Sequence, residues 1–87
     1  MDAKQRSEKM YLITAKNCSK CKILRQMLGD KYFFLEVRDA EDEMETCRRM
    51  GIKSVPVLVF GEEAFTTELE TIVDMVEEAF NKAHGDK

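Results

Sequence analysis

A change from strand periodicity to helix periodicity, early in the chain, restricts the possible folds more than any other feature. Residues 10–15 form an apolar run whose alternate side chains point to opposite faces, and both faces are apolar enough for burial. In residues 19–28 the apolar positions recur with a period of about 3.6, which indicates a helix. A central strand is therefore predicted to lead directly into a helix, and Cys18-Ser19-Lys20-Cys21 occupies the turn between them.

The next segments continue this alternation of strands and helices. Residues 32–37 are rich in aromatic and branched side chains and predict a second strand, buried over most of its length, after a stop at Gly29-Asp30. A strand, a helix and a strand within roughly thirty residues predict a right-handed parallel crossover unit. The positions expected to face inward from the first helix are Cys21, Ile23, Leu24, Met27 and Leu28.

A second helix and a third strand follow. Asp39 is expected to cap a short helix that stops at Gly51. The inward positions of this helix are predicted to be Met44, Cys47 and Met50. Residues 52–60 predict a strand entered through Pro56, which cannot donate to a sheet ladder and for which a cis peptide bond costs little energy.

The chain then predicts a hairpin and a final helix. Gly61-Glu62 is expected to form a tight turn into a short edge strand at residues 63–66. Thr67 and Glu70 match a capping box, and the helix after them keeps one apolar face and one charged face. Residues beyond 82 are expected to form a polar end.

Length and composition restrict the domain organisation. With 87 residues, of which 44% are hydrophobic and 36% charged, the chain predicts one soluble domain with one modest core, at residues 10–83. Residues 1–9 are expected to form a flexible leader and residues 84–87 a frayed tail. No apolar run approaches the ~20 residues of a membrane helix, and a net charge of −3 provides no basic field for nucleic acid. We therefore expect a cytoplasmic monomer that binds neither membranes nor nucleic acid.

The cysteines indicate redox or metal chemistry. Three cysteines form an odd set that lacks the spacing of a disulfide-stapled secreted domain. A thiol at the first turn of a helix faces unpaired N–H groups and the positive end of the helix dipole, which favour the thiolate, and a thiol one turn later lies within disulfide reach. Lys16, Lys20 and Lys22 add positive charge. Cys18 is therefore the expected attacking thiolate and Cys21 the expected resolving thiol.

At this point the chain resembles the thioredoxin-fold family. The resemblance is carried by the order of elements, by the cysteine pair that opens the first helix and by Val55-Pro56 at the third strand. The size of the chain and Ser54-Val55-Pro56 are most similar to a small glutaredoxin. The resemblance implies an α/β, thioredoxin-like fold of order βαβαββα, with a four-stranded mixed sheet and helices on both faces, and the activity of a thiol–disulfide oxidoreductase.

The resemblance also implies roles for individual residues. In that family the residue before a cis-proline offers its backbone to the substrate, so Val55 and Pro56 are expected to bind substrate. Lys16 is similar to the basic residue that precedes the first cysteine, and Thr67 falls in the segment where glutaredoxins hold glutathione. The implied substrates are disulfide-containing proteins or mixed disulfides of small thiols, and glutathione or a reductase would regenerate the dithiol.

The sequence departs from the family at several positions, so it does not decide whether glutathione or a reductase is the electron donor. Ser19-Lys20 stands where glutaredoxins usually carry Pro-Tyr and thioredoxins Gly-Pro, and residues 64–70 contain no counterpart of the glycine pair that holds glutathione. Lys16 lies two positions before the first cysteine, where three is usual. Lys20 is expected to favour the thiolate and to make the pair relatively oxidising.

Two other functions stay open for the cysteine pair. The two thiolates would also suit zinc or an iron–sulfur cluster shared between chains, although such sites need about four ligands, and the fold would also suit a redox sensor or adaptor without turnover. Cys47 is expected to be core packing, and His84 a solvated residue with no metal. Lys53 is expected to be a surface lysine, although its place near Pro56 would suit contact with a partner carboxylate. No bound cofactor is expected.

Overall fold

The structure, a computed structural model, describes residues 10–61 and 64–84. Its elements in chain order are β1 (Tyr11–Thr14), α1 (Ser19–Leu28), β2 (Glu36–Asp39), α2 (Met44–Met50), β3 (Val57–Val59), β4 (Phe65–Thr66) and α3 (Leu69–His84). Two 3₁₀ helices, Gly29–Phe34 and Ala40–Glu43, precede β2 and α2. The predictions for residues 1–9, for Glu62 and Glu63, and for residues 85–87 lie outside the described residues.

The strands form one four-stranded mixed sheet of order β2-β1-β3-β4. Strand β1 runs parallel to β2, with Leu12 opposite Val37, and antiparallel to β3, with Ile13 opposite Val57. Strand β4 pairs antiparallel with β3 at the edge. The central place of β1, the edge place of β4 and the α/β class with a mixed sheet are thus confirmed.

Two apolar cores lie on the two faces of this sheet. Because successive strand side chains alternate, Leu12 belongs to one core and Ile13 to the other, and both are fully buried. The core under α1 and α3 contains Leu12, Leu24, Leu28, Leu35, Leu58, Ile72 and Val76. The core under α2 contains Ile13, Ile52, Val57 and Val59, with Cys47 and Met50 packed against it. Helices therefore cover both faces, as predicted.

The second strand differs from its prediction in both start and burial. Residues 32–34 belong to the 3₁₀ helix Gly29–Phe34, and β2 begins only at Glu36. Val37 is exposed on β2, which lies at the edge of the sheet, and Phe33 in the preceding 3₁₀ helix is 73% exposed. Phe34 packs edge-on against Phe80 of α3, with 5.4 Å between the ring centroids. Phe34 thus packs against a helix, whereas the β propensity of the aromatic run predicted a strand.

Three side chains predicted to face the core are exposed instead. Ile23 is 47%, Met27 44% and Met44 58% exposed. Ile23 and Met27 each precede a buried leucine by one position, which places them about 100° around the helix from the stripe that faces the sheet. Met44 is the first residue of α2, where the helix has just left its 3₁₀ lead-in.

The N-termini of the later helices also differ from their predicted positions. The carboxylate of Asp39 accepts a hydrogen bond from the Glu41 N–H at 2.8 Å, and so caps the 3₁₀ helix Ala40–Glu43 rather than α2. Helix α3 begins at Leu69, so the predicted cap at Thr67 is wrong: the Thr66 hydroxyl accepts from the Glu68 N–H at 3.3 Å instead. Helix α3 then extends to His84. No helix in the described residues is both long and apolar enough to cross a membrane.

The connection from α2 to β3 is longer than predicted, because β3 contains only Val57–Val59. Gly51 ends α2 in the left-handed conformation, with φ of 78°, as predicted from its place in the sequence. The Ile52 N–H then donates to the Cys47 carbonyl at 2.8 Å, which turns the chain back toward the sheet. Pro56 directly precedes β3, is buried, and follows Val55 through a cis peptide bond.

Leu24→Ala is expected to destabilise the domain far more than Ile23→Ala. Leu24 is fully buried between α1 and the sheet, and truncation of a buried leucine costs about 2–5 kcal/mol. Ile23 is 47% exposed, and its truncation should cost roughly 1 kcal/mol or less. Free energies of unfolding from urea titrations measure both losses. Equal losses would contradict the orientation of α1.

Candidate functional site

Cys18 is the N-cap of α1. Its backbone is extended (φ −122°, ψ 110°), and its Sγ accepts a hydrogen bond from the Cys21 N–H at 3.1 Å. This is the position at which a helix has unpaired N–H donors and the positive end of its dipole. The sulfur of Cys18 therefore takes the place that a serine or aspartate oxygen commonly fills at an N-cap.

Cys18 and Cys21 are joined by a disulfide bond. Their Cα atoms are 5.2 Å apart, within the usual range for a disulfide, since the two residues are separated by less than one helical turn. Cys21 is 8% exposed and lies on the buried side of α1, whereas Cys18 is half-buried. The predicted pairing of the two cysteines is thus confirmed, and the pair presents Cys18 as its more accessible sulfur.

Val55 is brought to the disulfide from a distant part of the chain. Its carbonyl oxygen lies 3.7 Å from the Sγ of Cys18, across 37 residues of sequence. The antiparallel pairing of Ile13 with Val57 explains this approach, because the residues that follow β1 then lie beside the residues that precede β3. Pro56 is buried next to Val55. The structure therefore brings together four predicted site residues: Cys18, Cys21, Val55 and Pro56.

The other two predicted site residues, Lys16 and Thr67, are exposed. Lys16 is exposed in the turn between β1 and Cys18, and Lys20 and Lys22 are exposed on the first turn of α1. Thr67 is exposed before α3 and, in the described part of the chain, makes no hydrogen bond to either cysteine. The roles of Lys16 and Thr67 in binding substrate stay predictions.

A groove beside Val55 was not predicted from the sequence. It has a volume of about 380 Å³ and lies between α2 and the connection to β3. Its lining includes Met44, Cys47, Arg48, Ile52, Lys53 and Val55. The position of Lys53 near Pro56 was the one sequence feature connected with it, whereas Met44, which lines the groove, was predicted to face the core.

Cys47 differs from the cysteine pair in its surroundings. It is half-buried, packs against the core under α2 and forms no disulfide. Burial raises the pKa of the Cys47 thiol, and the negative charge of Glu43 raises this pKa further. A raised pKa leaves less thiolate at a given pH, which makes Cys47 a weaker nucleophile than an ordinary thiol.

Comparison with known proteins found no relative: no family model matches the chain, and no curated protein matches it. Among residues 10–61 and 64–84, no three histidine, cysteine or acidic side chains are grouped so that they would hold a metal ion. The geometry of the cysteine pair and its neighbours is therefore the basis for assigning the chemistry of the site.

Alkylation of Cys47 in the folded, reduced protein is expected to need a higher pH than alkylation of the same residue in the unfolded chain. A raised pKa means that less thiolate is present at a given pH, so the rate should continue to rise above the pH at which an ordinary thiol has titrated. Iodoacetamide labelling at a series of pH values, read by peptide mass mapping, measures this. Glu43→Gln should move the profile of Cys47 part of the way toward that of the unfolded chain. Identical profiles for the folded and unfolded chains would contradict the assigned environment.

Proposed function

We propose that this chain is a small thiol–disulfide oxidoreductase with a thioredoxin-like fold, which exchanges disulfides through Cys18 and Cys21. The observation that carries the proposal is the disulfide at the N-terminus of α1, in which the half-buried Cys18 accepts a backbone N–H and the buried Cys21 lies behind it. A sulfur pair with one accessible and one protected member is suited to stepwise exchange.

The fold supports the same proposal. The order of elements is β1, α1, β2, α2, β3, β4 and α3, and helices cover both faces of a four-stranded mixed sheet. The cysteine pair opens α1, and Val55-Pro56 precedes β3, as the resemblance to thioredoxin-fold proteins implies. The short distance from the Val55 carbonyl to Cys18 is consistent with the substrate-binding role that we propose for Val55 and Pro56.

In the first step, the thiolate of Cys18 attacks one sulfur of a substrate disulfide. A bond forms between Cys18 Sγ and that sulfur, the substrate S–S bond breaks, and the other substrate sulfur leaves as a thiolate that takes up a proton. The Cys21 N–H and the N-terminus of α1 stabilise the negative charge on Cys18 before the attack. Lys16, Lys20 and Lys22 add an exposed positive field at the same end of α1.

In the second step, Cys21 resolves the mixed disulfide. The Cys21 thiol loses its proton, its sulfur attacks Cys18 Sγ, and the remaining substrate sulfur leaves and is protonated. The substrate has then gained two electrons and two protons, and the protein is left with the Cys18–Cys21 disulfide found in the structure. Burial of Cys21 prevents a bulky substrate from meeting it directly, whereas Cys18 lies within its reach.

A thiol reductant must then restore the dithiol. We propose glutathione or a flavin-dependent reductase in the cytoplasm as its source, with Lys16 and Thr67 as candidate contacts for substrate or reductant. Turnover with glutathione and its reductase, compared with turnover with a thioredoxin-type reductase, distinguishes the two sources. The one that sustains steady turnover is the electron donor.

Cys18→Ser is expected to reduce disulfide reduction to the uncatalysed rate, because no other accessible thiolate replaces the attacking sulfur. Cys21→Ser should accumulate a mixed disulfide on Cys18, which intact-protein mass spectrometry would show as an added substrate mass. Reduction of insulin or of a small mixed disulfide by dithiothreitol provides the rate assay.

Cys47→Ser is the matched control for these two variants, and it should keep most of the activity because Cys47 is outside the exchange path. Inactivity of the unmodified protein in every assay would favour the adaptor or sensor role. A stoichiometric metal in anaerobically purified protein, lost in Cys18→Ser, would favour the metal-binding role.

Lys20→Ala is expected to lower the reduction potential of the cysteine pair. The positive charge of Lys20, exposed between the two cysteines, stabilises the thiolate and hence the reduced form, so its removal makes the pair more reducing. An exposed charge contributes below ~1 kcal/mol, which corresponds to a shift of roughly 5–20 mV. Equilibration with glutathione buffers measures the potential, and Lys82→Ala on α3 is the control. An unchanged or raised potential in Lys20→Ala contradicts this role.

A further inference from the structure

Val55 lines the groove between α2 and the β3 connection and also lies next to the disulfide. The side of Val55 that bears its carbonyl approaches Cys18 Sγ to 3.7 Å, and the same residue lines the groove. The apolar part of the lining includes Met44, Ile52 and Val55. Its volume of about 380 Å³ lies at the small end of the range of ligand pockets. Val55 is therefore the residue that the groove shares with the surroundings of Cys18.

The charged side chains that line the groove are both positive. Arg48 and Lys53 are exposed and belong to its lining, which includes no carboxylate. Within the described residues, neither side chain forms an ion pair. The nearby carboxylate of Glu43 is already paired with Arg38, at 3.5 Å. The charged residues of the lining are therefore positive, on a chain whose net charge is −3.

We propose that this groove selects protein substrates in which an apolar side chain and an acidic side chain lie next to the disulfide. This inference rests on the proposed function and names its substrate class. The apolar side chain occupies the groove, and Arg48 and Lys53 bind the acidic one. In the proposed complex the substrate chain is extended, advances about 3.3 Å per residue, and runs from the sulfur bound at Cys18 past Val55 to the groove.

Two features favour an acidic polypeptide over other occupants. A second copy of this chain would bring a net negative surface of its own, but its attacking cysteine is surrounded by Lys16, Lys20 and Lys22, which would repel Arg48 and Lys53. A small mixed disulfide would leave much of the apolar lining uncovered. A protein segment with an acidic and an apolar side chain would pair with Arg48 and Lys53 and would also cover the apolar lining of the groove.

The test compares two peptides that contain the same disulfide and the same neighbouring leucine. One peptide carries two glutamates beside the leucine and the other carries two lysines. With dithiothreitol as reductant at low ionic strength, the intact protein should reduce the acidic peptide with a kcat/KM about three- to tenfold higher than the basic one. Added salt should narrow this ratio.

Charge reversal in the groove should reverse the preference. Arg48→Glu and Lys53→Glu should each lower kcat/KM for the acidic peptide and raise it for the basic peptide. Lys82→Glu makes the same change of charge on α3, on the other side of the sheet, and should leave the ratio unchanged. Met44→Ser should lower kcat/KM for both peptides, since it removes apolar lining from an already exposed position.

The outcomes separate this inference from the proposed function. Reduction of both peptides at equal rates, equal effects of Lys82→Glu and Lys53→Glu, or activity confined to a glutathione mixed disulfide would overturn the groove assignment while the oxidoreductase proposal stands. Absence of reduction of any disulfide would overturn the oxidoreductase. The groove is then tested without turnover, by fluorescence anisotropy of thioether analogues of the two peptides: tighter binding of the acidic analogue, lost in Lys53→Glu, supports it, and equal binding overturns it.

Discussion

The antiparallel pairing of β1 with β3 is the interaction on which the site depends. Ile13 lies opposite Val57, so the C-terminal end of β1 and the N-terminal end of β3 meet at the same end of the sheet. The turn that carries Cys18 therefore reaches the backbone of Val55. The same register places Leu12 and Leu58 in one core and Ile13 and Val57 in the other. A slip by one residue would exchange the two cores and would also move Pro56 away from the cysteines, so the stability of the sheet maintains the geometry of the site.

Patterns confined to a few residues predicted the local structure well. Helix α1 spans Ser19–Leu28 as predicted, because the spacing of Leu24 and Leu28 and the glycine after them are local properties. Strand β2 was predicted poorly, because its burial depends on its place in the sheet. Phe34 and Phe80, which are distant in the sequence, pack together in the fold, and no periodicity within residues 32–37 could indicate that contact.

In the candidate site too, features within short stretches of sequence could be predicted, whereas features formed by distant residues could not. The two cysteines and the Val55-Pro56 pair could be named from the sequence, since each is a short motif at the start of an element. The groove could not, because it is formed between α2 and the segment before β3 by side chains that are individually unremarkable. For Met44 the prediction was wrong. The helical pattern placed its side chain in the core, whereas α2 starts at Met44, later than predicted, and the side chain is 58% exposed at the groove.

The surroundings of the sulfurs distinguish Cys18 from Cys47. Cys18 receives an N–H bond at a helix N-terminus, whereas Cys47 is half-buried close to the negative charge of Glu43, which raises its pKa. Arg38 holds Glu43 in place and also stacks on Tyr11, 3.8 Å from the ring centroid. Arg38 therefore contacts both β1 and the carboxylate that lies near Cys47. Under the proposed function, Cys47 would therefore line the groove for substrate without competing with Cys18 for the disulfide, and substrate recognition and attack would take place on opposite sides of Val55.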